Sequence, residues 1–272
     1  MALSRYTAVQ FRRPMVRGLN LPFLVLAEAE GGAESERVEL VVKSTAGYRN
    51  RPECIVREMF SLLLAQQLGI RVPEPVLVRF PRGFDYGAGD FPEYAELIRK
   101  SPGWNLATVH LGNSWKPWTN TTSPRSITRD KIESAYCFDA MVQNSDREND
   151  NPNLLWKRDQ LVLLDFDKAF GHLRVYRNDP KPWRKVLMLQ NLQRHCFHRF
   201  LPDLDEDELL GNSIWEAFLE WHSTSRKGSL TREFGSELQD PEVDLPLLEG
   251  YLTNLADHAE DFFRYLTERS RG

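Results

Sequence analysis

The stretch GNSWKPWTNTTSPRS, residues 112–126, constrains this 272-residue chain most, because it has no hydrophobic period, contains two prolines and separates two kinds of patterning. Before it the sequence reads as short strands with one helix. After it the sequence is mostly helical. Strands first and helices second predict an α+β fold. The stretch itself is expected to be a linker between two lobes, residues 1–112 and 113–272. Clefts between lobes are common ligand sites.

Local patterns fill in the first part. Leu21–Leu26 and Arg37–Lys43 are rich in large and β-branched residues and bracket Gly31-Gly32, which predicts a β-hairpin. Pro52 suits the first turn of a helix, where its missing N–H costs nothing. Ile55, Met59, Leu62 and Leu63 then recur on one helical face, and Gly69 is expected to cap the end. Pro73 and Pro75 block continuation, and Val76–Phe80 and Leu106–Leu111 read as further strands. A short helix is expected at Pro92–Lys100. In the second part, residues 127–143 read as a helix, two short strands fall near Asn153–Trp156 and Leu161–Leu164, and helices are expected at about 182–200, 206–223 and 242–268. The acidic run Asp203–Glu208 suits a helix start, where the dipole favours negative charge.

Composition narrows the function classes. The net charge of −4 argues against wholesale binding to a phosphate backbone, so nucleic acid is not an expected partner. No apolar run approaches the length a membrane helix needs. The first residues, MALSRYTAVQFRRP, lack the apolar core of a secretory signal. Cys54, Cys137 and Cys196 are an odd number with no CxxC pair, which argues against a disulfide framework or zinc ribbon. A cytoplasmic protein with reduced thiols is the expectation.

Residues 143–170 carry the chemistry. Asp146 lies in a polar loop after a helix, Asn151 follows five residues later, and two apolar strands lead into Asp165. Phosphoryl transfer uses such a set: one carboxylate orients or deprotonates the attacking hydroxyl, while an amide oxygen and a second carboxylate hold Mg²⁺ on the nucleotide phosphates. A tight hairpin between the loop and Asp165 would bring the three together. Lys43, at the end of its strand, can reach the α- and β-phosphates, and Glu58 in the following helix can hold it extended. Arg147 has a fork suited to a carboxylate or phosphate, and equally to bridging within the core. His195 and His198 have helical spacing but no third ligand nearby, so packing is preferred to a metal site. Trp104, Trp115 and Trp118 with Lys116 are read as packing residues rather than a base-stacking surface.

These residues carry a resemblance. VVK at 41–43, Glu58, LGIRVPEP at 68–75, NSDRENDNPN at 144–153 and LLDFDKAF at 163–170 resemble the HipA-like kinase family, and more broadly the protein-kinase and phosphoinositide-kinase-like superfamily. The resemblance spans roughly residues 15 to 265. It implies a two-lobed protein-kinase-like fold with a small β-rich N-lobe and a larger helical C-lobe, using ATP as co-substrate and Mg²⁺ as cofactor. By matching position it makes Asp146 similar to the catalytic-loop Asp, Asn151 to the metal-binding Asn and Asp165 to the Asp of a DFG-type motif. Lys43 and Glu58 match the ATP-binding lysine and its helical partner. Asp167 and Asn153 are possible auxiliary ligands, and Arg147 a possible auxiliary of the loop. The adenine is expected near Ala107–Asn113.

The sequence departs from that pattern in places. Asp167 stands where a DFG-type glycine would be, Glu148 where a histidine is often found, and no GxGxxG is present. Arg17–Pro22 is the only local candidate for a phosphate-covering loop. Because HipA-like kinases act on proteins, the expected acceptor is a protein Ser or Thr. The alternatives are a kinase-shaped binding module without turnover, and a kinase for a small-molecule acceptor. Ser44 is the candidate autophosphorylation site.

Overall fold

The computed structural model describes residues 3–15, 20–31, 37–48, 51, 53–185, 190, 192–224 and 245–270. The fold is α+β. Two compact units divide it: described residues within Met1–Leu62 and Pro73–Gly112 form the first, and those within Leu63–Val72, Asn113–Leu230 and Asp244–Gly272 the second.

The first unit is built on a closed five-stranded barrel. Its strands are β1 (Arg5–Pro14), β2 (Phe23–Ala29), β3 (Arg37–Lys43), β4 (Pro75–Arg79) and β5 (Trp104–Val109), in the order β1-β2-β3-β5-β4. The expected hairpin is β2 against β3, antiparallel, with Phe23 opposite Val42 and Val25 opposite Leu40. β1 pairs with β4 in parallel and closes the sheet, which leaves no strand edge unpaired. The sequence reading missed β1. Its pairing with β2 is interrupted twice, between Ala8 and Gln10 and between Phe11 and Arg13. Such irregularities bend and twist a strand, as closure requires, and they set the two buried side chains, Ala8 and Phe11, three residues apart instead of two or four. Inside the barrel Phe11, Phe23, Val25, Leu40, Val42 and Val76 form one core with Tyr94 and Ile98 of α2 (Pro92–Arg99).

The helix α1 (Glu53–Gln67) crosses the boundary between the units after Leu62. Gly69 ends it with φ 76°, while Gly69 N–H donates to Gln66 C=O at 3.2 Å and Ile70 N–H to Ala65 C=O at 2.9 Å. That pair of bonds is the Schellman arrangement, and it is why a glycine stands there.

In the second unit α3 (Arg129–Val142) is buried on every side from Ile132 to Val142. A helix enclosed all round needs apolar residues all round, and its one carboxylate in the last turns, Asp139, must find partners. Two strands form the predicted hairpin, β7 (Leu154–Lys157) and β8 (Gln160–Leu163), joined by β6 (Lys116–Pro117) on the other side of β7. Residues 113–126, expected as linker, therefore belong to the second unit. Trp118 is 2% exposed and meets the Phe197 ring edge-on at 5.3 Å.

The helical expectations for the remainder are refined. Described residues of 182–200 do not form one helix: they are helical at 190 and 192–194 and make short turns at Pro182–Arg184 and His198–Phe200, while 186–189 and 191 lie outside the described residues. The expected helix at 206–223 is two, Glu206–Leu210 and Ser213–Ser223, each begun by a side-chain cap: Asp205 accepts from Asp207 N–H and Asn212 from Ile214 N–H. The last expectation is likewise two helices, Leu245–Asp257 and Ala259–Ser270. Among the described residues no helix is long and apolar enough to cross a membrane.

Candidate phosphoryl-transfer site

α3 ends at Gln143, whose φ of 54° turns the chain out of the helix and into the loop that carries Asp146. The half-buried Asp146 carboxylate gathers the loop around itself. Asn151 Nδ2 donates to its Oδ2 at 3.1 Å and Asn153 Nδ2 at 3.3 Å. Each amide uses its nitrogen on Asp146, so the oxygen is the atom each offers to a hard cation. β7 and β8 then return the chain to Asp165. Asp165 has φ 57°, and Asn153 φ 47°, both in the left-handed region that Asp and Asn tolerate better than other side chains. Strained backbone of this kind collects at functional sites.

The Asn144 side chain lies against both segments, 3.3 Å from Asp146 N–H and 3.4 Å from Asp165 C=O. Burial, then the negative charges of Asp165 and Asp167, push the Asp146 carboxyl up to about 6 against the opposing pull of Lys168 and Asn153. Such a carboxyl is close to the pKa a general base needs near neutral pH. Asp167, in the place of a DFG-type glycine, is not in the left-handed region, so no glycine is required there. Among the described residues no three of His, Cys, Asp and Glu close on one point as a metal cage. Mg²⁺ does not require one: it keeps several waters and takes one or two carboxylates together with substrate phosphates. Asn151 and Asp165 each carry side-chain oxygens of the type Mg²⁺ takes.

Beneath the loop lies a network the sequence reading did not foresee. Arg147 is 1% exposed and is held by Asp139: Nε binds Oδ2, and Nη2 donates to Oδ1 at 3.2 Å. Its Nη1 lies 3.2, 2.6 and 3.0 Å from the carbonyl oxygens of Pro152, Asn153 and Leu164. Its fork binds a carboxylate, Asp139, and at the same time bridges the core, so both readings of it hold. His195 Nδ1 accepts from Phe197 N–H at 3.1 Å, which leaves the proton on Nε2 to donate to Asp139 Oδ2 at 3.0 Å. Burial lowers the His195 pKa, in keeping with a neutral ring. Burial alone would raise Asp139, but the Arg147 charge and the His195 hydrogen bond hold it below the ordinary carboxylate range. The signal available in the sequence was Asp139 itself, an acid in the apolar run AYCFDAMV, since a buried charge needs a partner.

In the first unit Lys43 and Glu58 are brought together. Lys43 Nζ lies 2.5 Å from Glu58 Oε1, and the Tyr48 hydroxyl donates to Glu58 Oε2 at 2.6 Å. Glu58 is buried, so this pair is shielded from the screening that makes surface ion pairs weak. Nothing in the sequence pattern pointed to Tyr48. Ser44 is fully buried, which removes it as an accessible modification site. Of the phosphate-covering candidate Arg17–Pro22, residues 17–19 lie outside the described residues. Among the tryptophans, Trp104 is flanked by the guanidinium groups of Arg5 and Arg79 at 5.2 and 5.6 Å from its ring centre, and Lys157 lies 5.9 Å from the ring centre of Trp115.

The HipA-like kinase family matches residues 9–179, well over half the chain. The chain belongs to the HipA-like kinase family. The matched stretch contains Lys43, Glu58, Asp146, Asn151 and Asp165. No curated protein matches the chain. Among solved structures, the Helicobacter pylori proinflammatory kinase CtkA is 10% identical, with 94% of this chain and 93% of that chain covered and a TM-score of 0.44.

Proposed function

We propose that this HipA-like kinase transfers the γ-phosphoryl group of ATP, with Mg²⁺, to the hydroxyl of a protein Ser or Thr. The observation that carries the reading is geometric: the Asp146 carboxylate accepts from the amides of Asn151 and Asn153, and the Asn144 side chain links Asp146 N–H to Asp165 C=O. Asp146 orients the acceptor hydroxyl and takes its proton as the new P–O bond forms and the bond from the γ-phosphorus to the β–γ bridging oxygen breaks, so that ADP leaves. Asn151 and Asp165 would hold Mg²⁺, with Asp167 and Asn153 beside them. When bound, the ion neutralises charge on the phosphates. Lys43 is assigned to the α- and β-phosphates, and Glu58, itself fixed by Tyr48, holds its ammonium extended. The protein acceptor rests on family membership, because acceptor choice is made by loop shape and not by this machinery.

The test is turnover of Mg-ATP with a mixture of protein acceptors, the labelled residue identified by mass spectrometry. Asp146→Asn should lower kcat by about 10²–10⁴-fold, the range of a lost general base, and Asp165→Ala should abolish transfer. Activity that survives both Asp146→Ala and Asp165→Ala ends the reading. Label found only on a small molecule replaces the protein acceptor and keeps the chemistry.

A further inference from the structure

We infer that Asp139, Asn144 and Arg147 form a positioning unit that holds Asp146 and Asp165 in register from beneath. The inference rests on the phosphoryl-transfer reading and extends it to residues outside the reacting groups.

Asp139 is a saturated carboxylate. Asp139 is 1% exposed on α3, and four donors surround it: Arg147 Nε and His195 Nε2 on Oδ2, and Arg147 Nη2 and Asn144 Nδ2 on Oδ1. A buried charge is tolerated only when its lone pairs are satisfied in this way. Asn144 and Arg147 are thereby fixed in orientation, and both spend their remaining hydrogen bonds on the backbone of the site. Asn144 Oδ1 accepts from Asp146 N–H at 3.3 Å, while its Nδ2, 3.0 Å from Asp139, is also 3.4 Å from Asp165 C=O. One amide side chain thus touches the main chain of both functional carboxylates. Arg147 grips Asn153 C=O where β7 begins and Leu164 C=O where β8 ends, the residue before Asp165. The two strands are paired at the same point by Leu164 N–H to Asn153 C=O at 2.8 Å.

The consequence is geometric. Asp165 and Asn153 have left-handed backbones that need external support, and the support comes from this unit. Asp139 touches neither functional side chain; it acts through Asn144 and Arg147. Loss of such supporting partners at metal sites lowers metal affinity or activity by about 10–100-fold.

The experiment uses the full chain with Asn144→Ala and Arg147→Lys. Arg147→Lys keeps the charge on Asp139 but cannot reach the carbonyls of both strands. Two readouts are taken: kcat and KM with Mg-ATP, and Mn²⁺ affinity by electron paramagnetic resonance in the presence of a non-hydrolysable ATP analogue. Both variants should lower kcat and weaken Mn²⁺ by about 10–100-fold, with KM for nucleotide at saturating Mg²⁺ changed less than threefold. Asn144→Gln, which retains both the amide oxygen and the amide nitrogen on a longer stem, should recover part of kcat relative to Asn144→Ala. If Arg147→Lys does not fold, Asn144→Ala carries the test alone. Folded variants with wild-type kcat and Mn²⁺ affinity overturn the inference and leave the phosphoryl-transfer reading standing. Wild-type turnover and Mn²⁺ affinity in Asp165→Ala overturn that reading, and the inference with it.

Discussion

At the scale of single residues the site is a crowd of carboxylates held against their own repulsion. Asp146 shows what that costs. Its native pKa of about 6 lies above the ordinary 3.8, so the folded protein binds this proton more tightly than the unfolded chain does. The sign follows: the contribution to stability is fully present below pH 3.8 and is lost as pH rises through 6. Asp146→Asn removes the penalty and keeps an acceptor for the neighbouring amides. The variant should be more stable than wild type at pH 7–8 by on the order of 1 kcal/mol, a figure reduced for the water around a half-buried group. The gain should vanish by pH 4. Thermal unfolding of both proteins across that range checks it, and equal midpoints at pH 8 would contradict it.

At the scale of elements, ends matter more than middles. α1 places Glu58 in a buried position, and its C-terminus depends on Gly69. A Cβ there would meet nothing within 4 Å, so the cost of substitution is purely conformational. Gly69→Ala should destabilise by about 1–2 kcal/mol, the penalty for an L-residue in the left-handed region, and Gly69→Asn by less. Urea unfolding midpoints measure both, and an Ala variant as stable as wild type would show that the helix ends differently. α3 shows the complementary case. Its C-terminal carbonyls are used by other segments: Phe170 N–H donates to Val142 C=O at 2.7 Å and the Tyr251 hydroxyl to Met141 C=O at 2.9 Å. The helix end is a platform to which the chain after Asp165 is tied.

For the molecule as a whole, the buried His195 and the half-buried His198 set an acid limit. Burial lowers His195, against its hydrogen bond to Asp139, and burial also lowers His198. Below pH 6.5 the unfolded chain takes up protons that the folded chain refuses, so stability falls as pH falls. A second loss should follow below pH 3.8, where Asp139, held low by Arg147 and His195, must be protonated. Asp146 has the opposite sign, so the limb is cleanest in an Asp146→Asn background. Urea midpoints from pH 8 to 3 should decline below 6.5, and His195→Gln should flatten the first part. A level profile between pH 7 and 5 would contradict the assignment.

The sequence by itself determined the hairpin of β2 and β3, the helix α1 with its glycine end and the hairpin β7–β8, because each is written in local periodicity and turn residues. It did not determine β1, whose two irregularities break the alternation that marks a strand, nor the role of residues 113–126, which gain their place by pairing with a strand about 40 residues away. Tyr48 on Glu58 and the four donors on Asp139 were likewise decided only in three dimensions. Hydrogen bonds between side chains distant in sequence leave no period to read. They exist because burial makes an unpartnered charge too costly, and only the folded chain says which charges are buried.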